Sequence, residues 1–200
     1  FPTVMILPQS EVADQTGIAN AIRRFSEALG KPIVLYIKHD RWLSADLIGR
    51  LVRDGLISWV KYAVVRDNPA KDDYLREIVA RIPADMIVSG IGEQPAIIHI
   101  RDFGLVSYTS GCVCLAPKLS MRMLRAVQNG NMEVAESIRD QFRPLEDLRN
   151  GIHPIRVLHH AVEAANISRT GPIQPLLSEL SAEQADQVAE VAVKLKGLNR

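Results

Sequence analysis

The chain has 200 residues, enough for one domain, and 47% of them are hydrophobic, enough for a sizeable core. Lysine and arginine total 24 and aspartate and glutamate 23, so the net charge of +1 gives no electrostatic argument for binding nucleic acid or an anionic membrane. No apolar run is long enough to cross a bilayer. Cys112 and Cys114 have a spacing that rarely forms a structural disulfide, so we expect reduced thiols and a cytoplasmic location.

Short apolar runs alternate with helical patterns through the first half of the chain, so the sequence predicts strands that alternate with helices. Gly30 marks the end of the first predicted helix, and Ser44 is the predicted N-cap of the second. The second half has only helical patterns, and the last of these begins with a capping box formed by Ser181 and Gln184. The predicted strands cover residues 3–7, 32–37, 57–65, 86–89 and 105–109.

This alternation predicts an α/β protein whose parallel strands are joined by right-handed crossovers. Two architectures fit the pattern, an open doubly wound sheet and part of an eight-stranded (β/α)8 barrel. Five strands cannot close such a barrel, and the chain begins at Phe1 within an apparent strand, so we expect earlier strand–helix units to be missing. No glycine-rich phosphate loop follows a predicted strand, which argues against a nucleotide-binding open sheet.

The third predicted strand, ISWVKYAVV over residues 57–65, carries Lys61 in its middle. Burial disfavours the charged ammonium and lowers the pKa of a lysine, and a neutral lysine amine attacks carbonyl carbon to form a Schiff base. Once protonated, that imine acts as an electron sink. The alternative is a lysine at a strand end whose ammonium lies in solvent or in an ion pair.

Three residues at the end of the preceding strand, in the segment LYIKHDR, bear groups that suit such chemistry. Neighbouring parallel strands bring Tyr36 close to Lys61, where the tyrosine hydroxyl can relay protons. Arg41 follows in the strand–helix loop and can bind a substrate carboxylate through two parallel hydrogen bonds. His39 lies in the same loop and is a candidate substrate contact, the alternative being a solvated side chain. No metal site is predicted, because no histidine or cysteine pair has a ligand partner at a suitable spacing.

Four segments that occur in the order LYIKHDR, SWVKYA, VSGIGE and FGLVSYTSG resemble motifs of the pyruvate-dependent class I aldolases, the dihydrodipicolinate synthase / N-acetylneuraminate lyase family. The tail ISRTGPIQPLLSELS is similar to the end of these proteins. The resemblance runs from about residue 3 to the C-terminus and corresponds to the C-terminal two thirds of the family. It implies a TIM (β/α)8 barrel of which strands 4–8 are visible, with residues 1–116 in the barrel and residues 117–200 in a helical region packed on it.

The resemblance also implies roles for residues at matching positions. Lys61 matches the Schiff-base lysine, and Tyr36 matches the tyrosine that shuttles protons. Arg41 falls where synthases of the family place the arginine for a distal carboxylate. Gly90 matches the glycine beside the imine, and Val106 takes the place of the residue whose backbone carbonyl flanks bound pyruvate.

The chain departs from the family pattern mainly at positions that choose the second substrate. Tyr62 replaces the acidic residue after the lysine, and Ile91 and Gly92 replace two aspartates. The resemblance therefore predicts the reaction class more firmly than the substrate. We expect a lyase that forms a Schiff base between Lys61 and pyruvate or a related 2-keto acid, for aldol condensation with an aldehyde or for the reverse cleavage, without a metal or organic cofactor.

Several functions remain open within this class. One is 4-hydroxy-tetrahydrodipicolinate synthase, an enzyme of lysine biosynthesis. The alternatives are another 2-keto acid aldolase or dehydratase, either similar to N-acetylneuraminate lyase or specific for a keto-deoxy sugar acid, and a non-catalytic homologue that binds a keto acid. The resemblance also implies a homodimer or a homotetramer.

Overall fold

The computed structural model describes residues 3–200, so Phe1 and Pro2, which open the predicted barrel segment, lie outside the described residues. The strands are β1 (Met5–Ile6), β2 (Ile33–Ile37), β3 (Ile57–Tyr62), β4 (Ile87–Ser89) and β5 (Ser107–Tyr108). The α-helices are α1 (Gln15–Leu29), α2 (Ala45–Arg53), α3 (Asp73–Val79), α4 (Glu93–Phe103), α5 (Pro117–Gln128), α6 (Met132–Gly151), α7 (Pro154–Ala164) and α8 (Ala182–Gly197). Each strand lies within, or one residue from, its predicted range, and the strands are shorter than predicted.

Local signals fix the ends of the first two helices. The Asp14 carboxylate accepts a hydrogen bond from the Gly17 N–H at 2.9 Å at the start of α1, and Gly30 ends this helix with a φ of +64°. That left-handed conformation costs glycine little because it has no Cβ. The Ser44 hydroxyl accepts a hydrogen bond from the Leu47 N–H at 3.3 Å, so the predicted N-cap of α2 is confirmed.

The five strands form one parallel sheet in the order β1-β2-β3-β4-β5, so every strand pairs with its neighbours in the chain. The prediction of an α/β fold with a parallel sheet is confirmed. A doubly wound sheet reverses its strand order at a switch point, whereas the order here is sequential throughout. Of the two architectures that the sequence left open, the sequential order does not match the doubly wound sheet.

One face of the sheet packs against α1–α4 and supplies the main hydrophobic core. Side chains alternate along a strand, so core positions recur every second residue, with one interruption in β3 where the register with β2 shifts between Ile57 and Trp59. Buried core residues from the sheet are Ile33, Leu35, Ile37, Ile57, Val60, Tyr62 and Ile87, and those from the helices include Ile18, Ile22, Ile48, Leu51, Leu75, Ile78 and Phe103. This packing fixes which strand side chains lie on the opposite face.

The chain divides into two compact units. The first contains the sheet and consists of the residues up to Ile91 together with Ile98–Tyr108, and the second consists of Gly92–Ile97 and Thr109–Arg200. The predicted boundary at residue 116 stays a prediction. In the second unit, α8 begins with the expected capping box, since Ser181 and Gln184 exchange two hydrogen bonds of 3.2 Å.

Within residues 3–200, no helix has both the length and the apolar character needed to cross a membrane.

The core can be tested with a matched pair of valines in and after β3. Val60 is fully buried, whereas Val65 is 75% exposed. Replacing Val60 with alanine removes two buried methyl groups, so we expect the free energy of unfolding to fall by about 2 kcal/mol. Val65→Ala is the control and should change it by less than about 0.5 kcal/mol in urea unfolding. Equal effects of the two substitutions would contradict the burial of Val60 in the core.

Candidate active site

A row of four side chains crosses the sheet on the face opposite the helices. In the strand register, Tyr36 of β2 pairs with Lys61 of β3, Lys61 with Val88 of β4, and Val88 with Ser107 of β5. Residues paired across parallel strands lie on the same face of a sheet. All four are half-buried. The row therefore presents an amine, a phenol and an aliphatic hydroxyl along one accessible line.

Lys61 and Tyr36 are neighbours in this row, and both carry a reactive group. The Lys61 Nζ lies 4.7 Å from the centre of the Tyr36 ring, within the range of a cation–π contact. The structure thus brings together the two residues that the sequence predicted to act together, on the same face and on adjacent strands. Their catalytic roles stay predictions.

Gly90 follows β4 and lies against Lys61. Its N–H donates a hydrogen bond of 2.7 Å to the Tyr62 carbonyl, which extends the sheet pairing beyond the end of β4. A Cβ at this position would lie 2.8 Å from Lys61 Cγ, 2.9 Å from the Tyr62 carbonyl oxygen and 3.0 Å from the Cβ of Ala63. Such distances are shorter than van der Waals contact, so the backbone can approach Lys61 this closely only without a side chain.

Arg41 and His39 lie in the β2–α2 loop and are exposed. Two nitrogens of the Arg41 guanidinium donate hydrogen bonds of 2.8 and 2.6 Å to the two carboxylate oxygens of Glu77 on α3. This pairing raises the pKa of Arg41 further above its already high value and lowers the pKa of Glu77. No local sequence pattern indicates this partner, which lies 36 residues further along the chain. Substrate binding by Arg41 and by His39 stays a prediction.

Val106 lies just before β5, and its side chain is 45% exposed. The resemblance gave a role only to the backbone carbonyl of this residue, so the exposure of the side chain does not bear on it. The predicted contact with a bound keto acid stays a prediction.

Tyr62 points to the opposite face from Lys61 and joins a polar network that the sequence did not reveal. Its hydroxyl donates a hydrogen bond of 2.7 Å to Asp72, a fully buried carboxylate that also accepts one of 3.1 Å from Arg66 and caps α3 through the Leu75 N–H. Burial alone would raise the pKa of Asp72, but the hydrogen bonds from Arg66, Tyr62 and the Leu75 N–H lower it below its ordinary value. Arg66 also pairs with Asp40 in the β2–α2 loop. Asp72 stands directly before α3, and an aspartate at that position is a typical N-cap. This is the one local signal in the sequence that could have indicated a structural role for Asp72.

His99 on α4 lies behind the sheet and is 1% exposed. Its Nδ1 is 2.9 Å from the Ser89 hydroxyl, and its ring meets those of Tyr62 and Phe103 edge to face. Burial lowers the pKa of His99 to about 4, with Asp72 opposing this shift weakly. The side chain is therefore a neutral core residue of the sheet unit at physiological pH.

The second unit holds a separate buried pair of carboxylates at the start of α4. Glu93 accepts hydrogen bonds from Ser110 at 2.5 Å and Ser120 at 2.8 Å, and Glu146 accepts from the N–H groups of Glu93 and Gln94 at 3.0 and 3.1 Å. The Glu146 carboxylate therefore caps the N-terminus of α4. Burial, together with the charge of Glu93, raises the pKa of Glu146 to about 8, and burial also raises that of Glu93. Across residues 3–200, no three His, Cys, Asp or Glu side chains cluster closely enough to hold a metal ion.

The chain was compared with protein families, with curated proteins and with solved structures. No protein-family model matches the chain. Among curated proteins, it is 25% identical over 193 residues to a probable 5-dehydro-4-deoxyglucarate dehydratase of Rhizobium meliloti, covering 92% of this chain and 61% of that protein. A protein of the same name from Chelativorans sp. is 25% identical over 198 residues, covering 94% of this chain and 63% of that one.

Solved structures of dihydrodipicolinate synthases have the same fold over nearly the whole chain. The enzyme of Bacillus clausii superposes with a TM-score of 0.82 and 26% identity, covering 95% of this chain and 64% of that one. The enzyme of Oceanobacillus iheyensis gives a TM-score of 0.80 and 26% identity, covering 95% and 63%. The chain thus spans about three fifths of the length of the relatives it matches.

Fold and strand order define an α/β chain with a sequential parallel sheet that carries the lysine–tyrosine row on one face. The comparisons confirm the more specific resemblance, to the dihydrodipicolinate synthase / N-acetylneuraminate lyase family. The matches are spread over the chain rather than confined to one motif, because they cover more than nine tenths of it.

The close approach of Gly90 to Lys61 can be tested by adding a methyl group. We expect Gly90→Ala to lower the free energy of unfolding by about 1 to 3 kcal/mol, since the new Cβ must displace Lys61 or the Tyr62 carbonyl. Gly151→Ala is the control, because a Cβ at that helical position would meet no atom within 4 Å. A urea titration that found the two variants equally stable would show that the Gly90 contact is not tight.

The buried His99 predicts a dependence of stability on pH. Unfolding returns its pKa from about 4 toward its ordinary value near 6.5, so the unfolded chain binds more protons between these values. The stabilisation is complete above pH 6.5 and is lost as the pH falls toward 4. We expect His99 to account for about 2 to 3 kcal/mol of the loss in unfolding free energy between pH 7 and pH 4.5.

The measurement is urea unfolding across this pH range for the parent protein and two variants. His99→Gln should flatten the pH dependence by the stated amount, whereas His160→Gln on α7 should leave it unchanged. If the His99 variant kept the parent slope, the pKa of His99 would have to be the same in the folded and the unfolded protein.

Proposed function

We propose that the chain forms the catalytic part of a class I, Schiff-base lyase that acts on a 2-keto acid. The proposal rests above all on the Lys61 amine, which lies 4.7 Å from the Tyr36 ring on adjacent, directly paired strands. The amine attacks the C2 carbonyl to form a carbinolamine, and loss of the former carbonyl oxygen as water leaves a protonated imine. Tyr36 relays the protons that this exchange requires. The imine itself is the electron sink, so the proposed reaction needs neither a metal nor an organic cofactor.

We further propose that the sheet forms strands 4–8 of a (β/α)8 barrel. The sequential order of parallel strands, the packing of α1–α4 on one face and the half-buried row on the other support this arrangement. Gly90 and the β2–α2 loop then lie at the carboxyl ends of the strands, where barrels of this type gather their chemistry. We also propose the homodimer or homotetramer that the family resemblance implies, and the free cysteines support a cytoplasmic location.

As substrate we propose a keto-deoxy sugar acid that undergoes dehydration. The curated relatives named above are probable 5-dehydro-4-deoxyglucarate dehydratases. In such an acid a methylene group adjoins the ketone and the next carbon bears a hydroxyl. The imine at Lys61 acidifies the methylene, loss of one of its protons gives an enamine, and the enamine electron pair expels the hydroxyl as water. No oxidant or reductant is required, because the electrons stay within the carbon skeleton.

The second candidate is aldol condensation of pyruvate with an aldehyde, as in 4-hydroxy-tetrahydrodipicolinate synthase. It is favoured by the solved structures at 26% identity, which are dihydrodipicolinate synthases. Both candidates share the imine at Lys61 and differ in what the enamine then does. Steady-state turnover with the two classes of substrate distinguishes them from each other and from a non-catalytic keto-acid-binding homologue.

Borohydride reduction in the presence of pyruvate tests the nucleophile. An imine at Lys61 is reduced to a stable secondary amine, so intact mass should increase by one reduced pyruvate and peptide mapping should find it on Lys61. Lys61→Ala should lose the adduct completely, whereas Lys71→Ala, at an exposed lysine before α3, should keep it. An adduct that persisted in Lys61→Ala would refute the assignment.

Tyr36→Phe separates the proton relay from imine formation at equilibrium. The substitution keeps the ring beneath Lys61 and removes only the hydroxyl. We expect kcat to fall by roughly a hundredfold or more, because general acid–base groups contribute about that much, while the adduct still forms given time. Tyr108→Phe, at the tyrosine that ends β5, is the matched control. Unchanged turnover in Tyr36→Phe would exclude the tyrosine as the relay.

A further inference from the structure

The predicted carboxylate ligand, Arg41, already has a partner. Both carboxylate oxygens of Glu77 accept hydrogen bonds from the guanidinium, and the guanidinium carbon lies 5.7 Å from the centre of the Tyr74 ring. Arg41 itself adopts a φ of +49°, which is uncommon for a residue with a side chain. These contacts attach the β2–α2 loop to α3, and they use the two parallel donors that a substrate carboxylate would need.

The same loop has a second attachment on the other side of Arg41. Asp40 pairs with Arg66, and Arg66 in turn bonds the buried Asp72 at 3.1 Å. The Tyr74 hydroxyl also donates a hydrogen bond to the Leu43 carbonyl. Residues 39–43, which we call the anchored loop, are therefore held by α3 and by the segment after β3. In this arrangement Arg41 positions the loop.

Lys38 lies directly before the anchored loop. It differs from Arg41 in its position relative to the strand face and in its ion pairing. It follows Tyr36 by two positions, and the bond of 2.7 Å from the Ala63 N–H to the Ile37 carbonyl continues the pairing of β2 past its last residue. Strand alternation therefore places Lys38 on the same face as Tyr36 and Lys61, about 7 Å further toward the carboxyl end. Its side chain is exposed, and within the described part of the chain, residues 3–200, it forms no ion pair with a carboxylate.

We propose that Lys38, rather than Arg41, binds the second carboxylate of a dicarboxylic 2-keto acid whose ketone forms the imine with Lys61. The inference rests on the proposed function and specifies its substrate class. A glucarate-type acid has a carboxylate at each end, so a substrate held at C2 by Lys61 extends its far carboxylate along this face. Lysine suits the task because its ammonium is a compact charge on a flexible stem and does not require a fixed bidentate geometry.

The test compares borohydride trapping with 2-oxoglutarate, a dicarboxylic 2-keto acid, and with pyruvate, which lacks the second carboxylate. Lys38→Met should raise the concentration of 2-oxoglutarate that gives half-maximal trapping by about tenfold or more, since a charge-assisted hydrogen bond is lost. The same variant should leave the value for pyruvate within about twofold. Lys38→Arg, which retains the charge, should recover most of the selectivity.

Glu77→Gln provides the discriminating control for Arg41. If Arg41 were the carboxylate ligand, Glu77 would compete with substrate, and this variant would strengthen trapping by 2-oxoglutarate alone. Under our proposal, Glu77→Gln leaves the ratio between the two acids unchanged, and Arg41→Met affects both acids alike through the loop.

The remaining outcomes are also decisive. An effect of Lys38→Met that is equal for the two acids, or absent for both, would overturn the inference while leaving the imine mechanism intact. Trapping of pyruvate but not of 2-oxoglutarate by the parent protein would do the same. Failure of the parent protein to trap either acid would remove the proposed function and this inference with it.

Discussion

The register between β2 and β3 is the constraint on which the rest of the candidate site depends. It places Tyr36 directly opposite Lys61, with both side chains on the face that the helices leave open. Because side chains alternate along a strand, a shift of one residue would turn Lys61 toward the helices and bring Tyr62 out of the core. The helix-side positions Val60 and Tyr62 are fully buried, so that shift would exchange buried apolar area for a buried ammonium. The hydrophobic core therefore sets the position of the amine.

The helix side of β3 carries a buried polar network beside the hydrophobic core. Tyr62, directly after Lys61, turns to this side, and its hydroxyl bonds the buried carboxylate of Asp72. A negative charge is thus present near the strand end, supplied by the residue before α3. Since Asp72 is fully buried and pairs with Arg66, removal of Arg66 would leave an uncompensated buried charge, which is strongly destabilising. The network ties the loops after β2 and β3 to the same rigid element.

The sequence predicted those features that depend on local chemistry or on neighbouring strands. The strands, the cap at Ser44 and the end of α1 at Gly30 follow from short segments whose propensities agree with the fold. The pairing of Tyr36 with Lys61 followed from the rule that consecutive parallel strands are neighbours. The bidentate contact between Arg41 and Glu77, and the burial of Asp72, could not be predicted in this way. They depend on how α3 packs beside the β2–α2 loop, and no spacing within either segment encodes that packing.

The same distinction explains why the reaction class is easier to infer than the substrate. The Lys61–Tyr36 row is fixed by the core, and moving it would cost much of the stability of the sheet. The charges of the β2–α2 loop are exposed, and exposed ion pairs contribute at most about 1 kcal/mol, so substitutions among them cost the fold little. Folding therefore constrains the position of the amine much more than it constrains the loop cations. Similar solved structures are named as dihydrodipicolinate synthases, and similar curated proteins as probable 5-dehydro-4-deoxyglucarate dehydratases. Substrate choice in this chain is accordingly to be sought among the loop cations, where a carboxylate that binds Arg41 must first displace Glu77, whereas one that binds Lys38 displaces no carboxylate of residues 3–200.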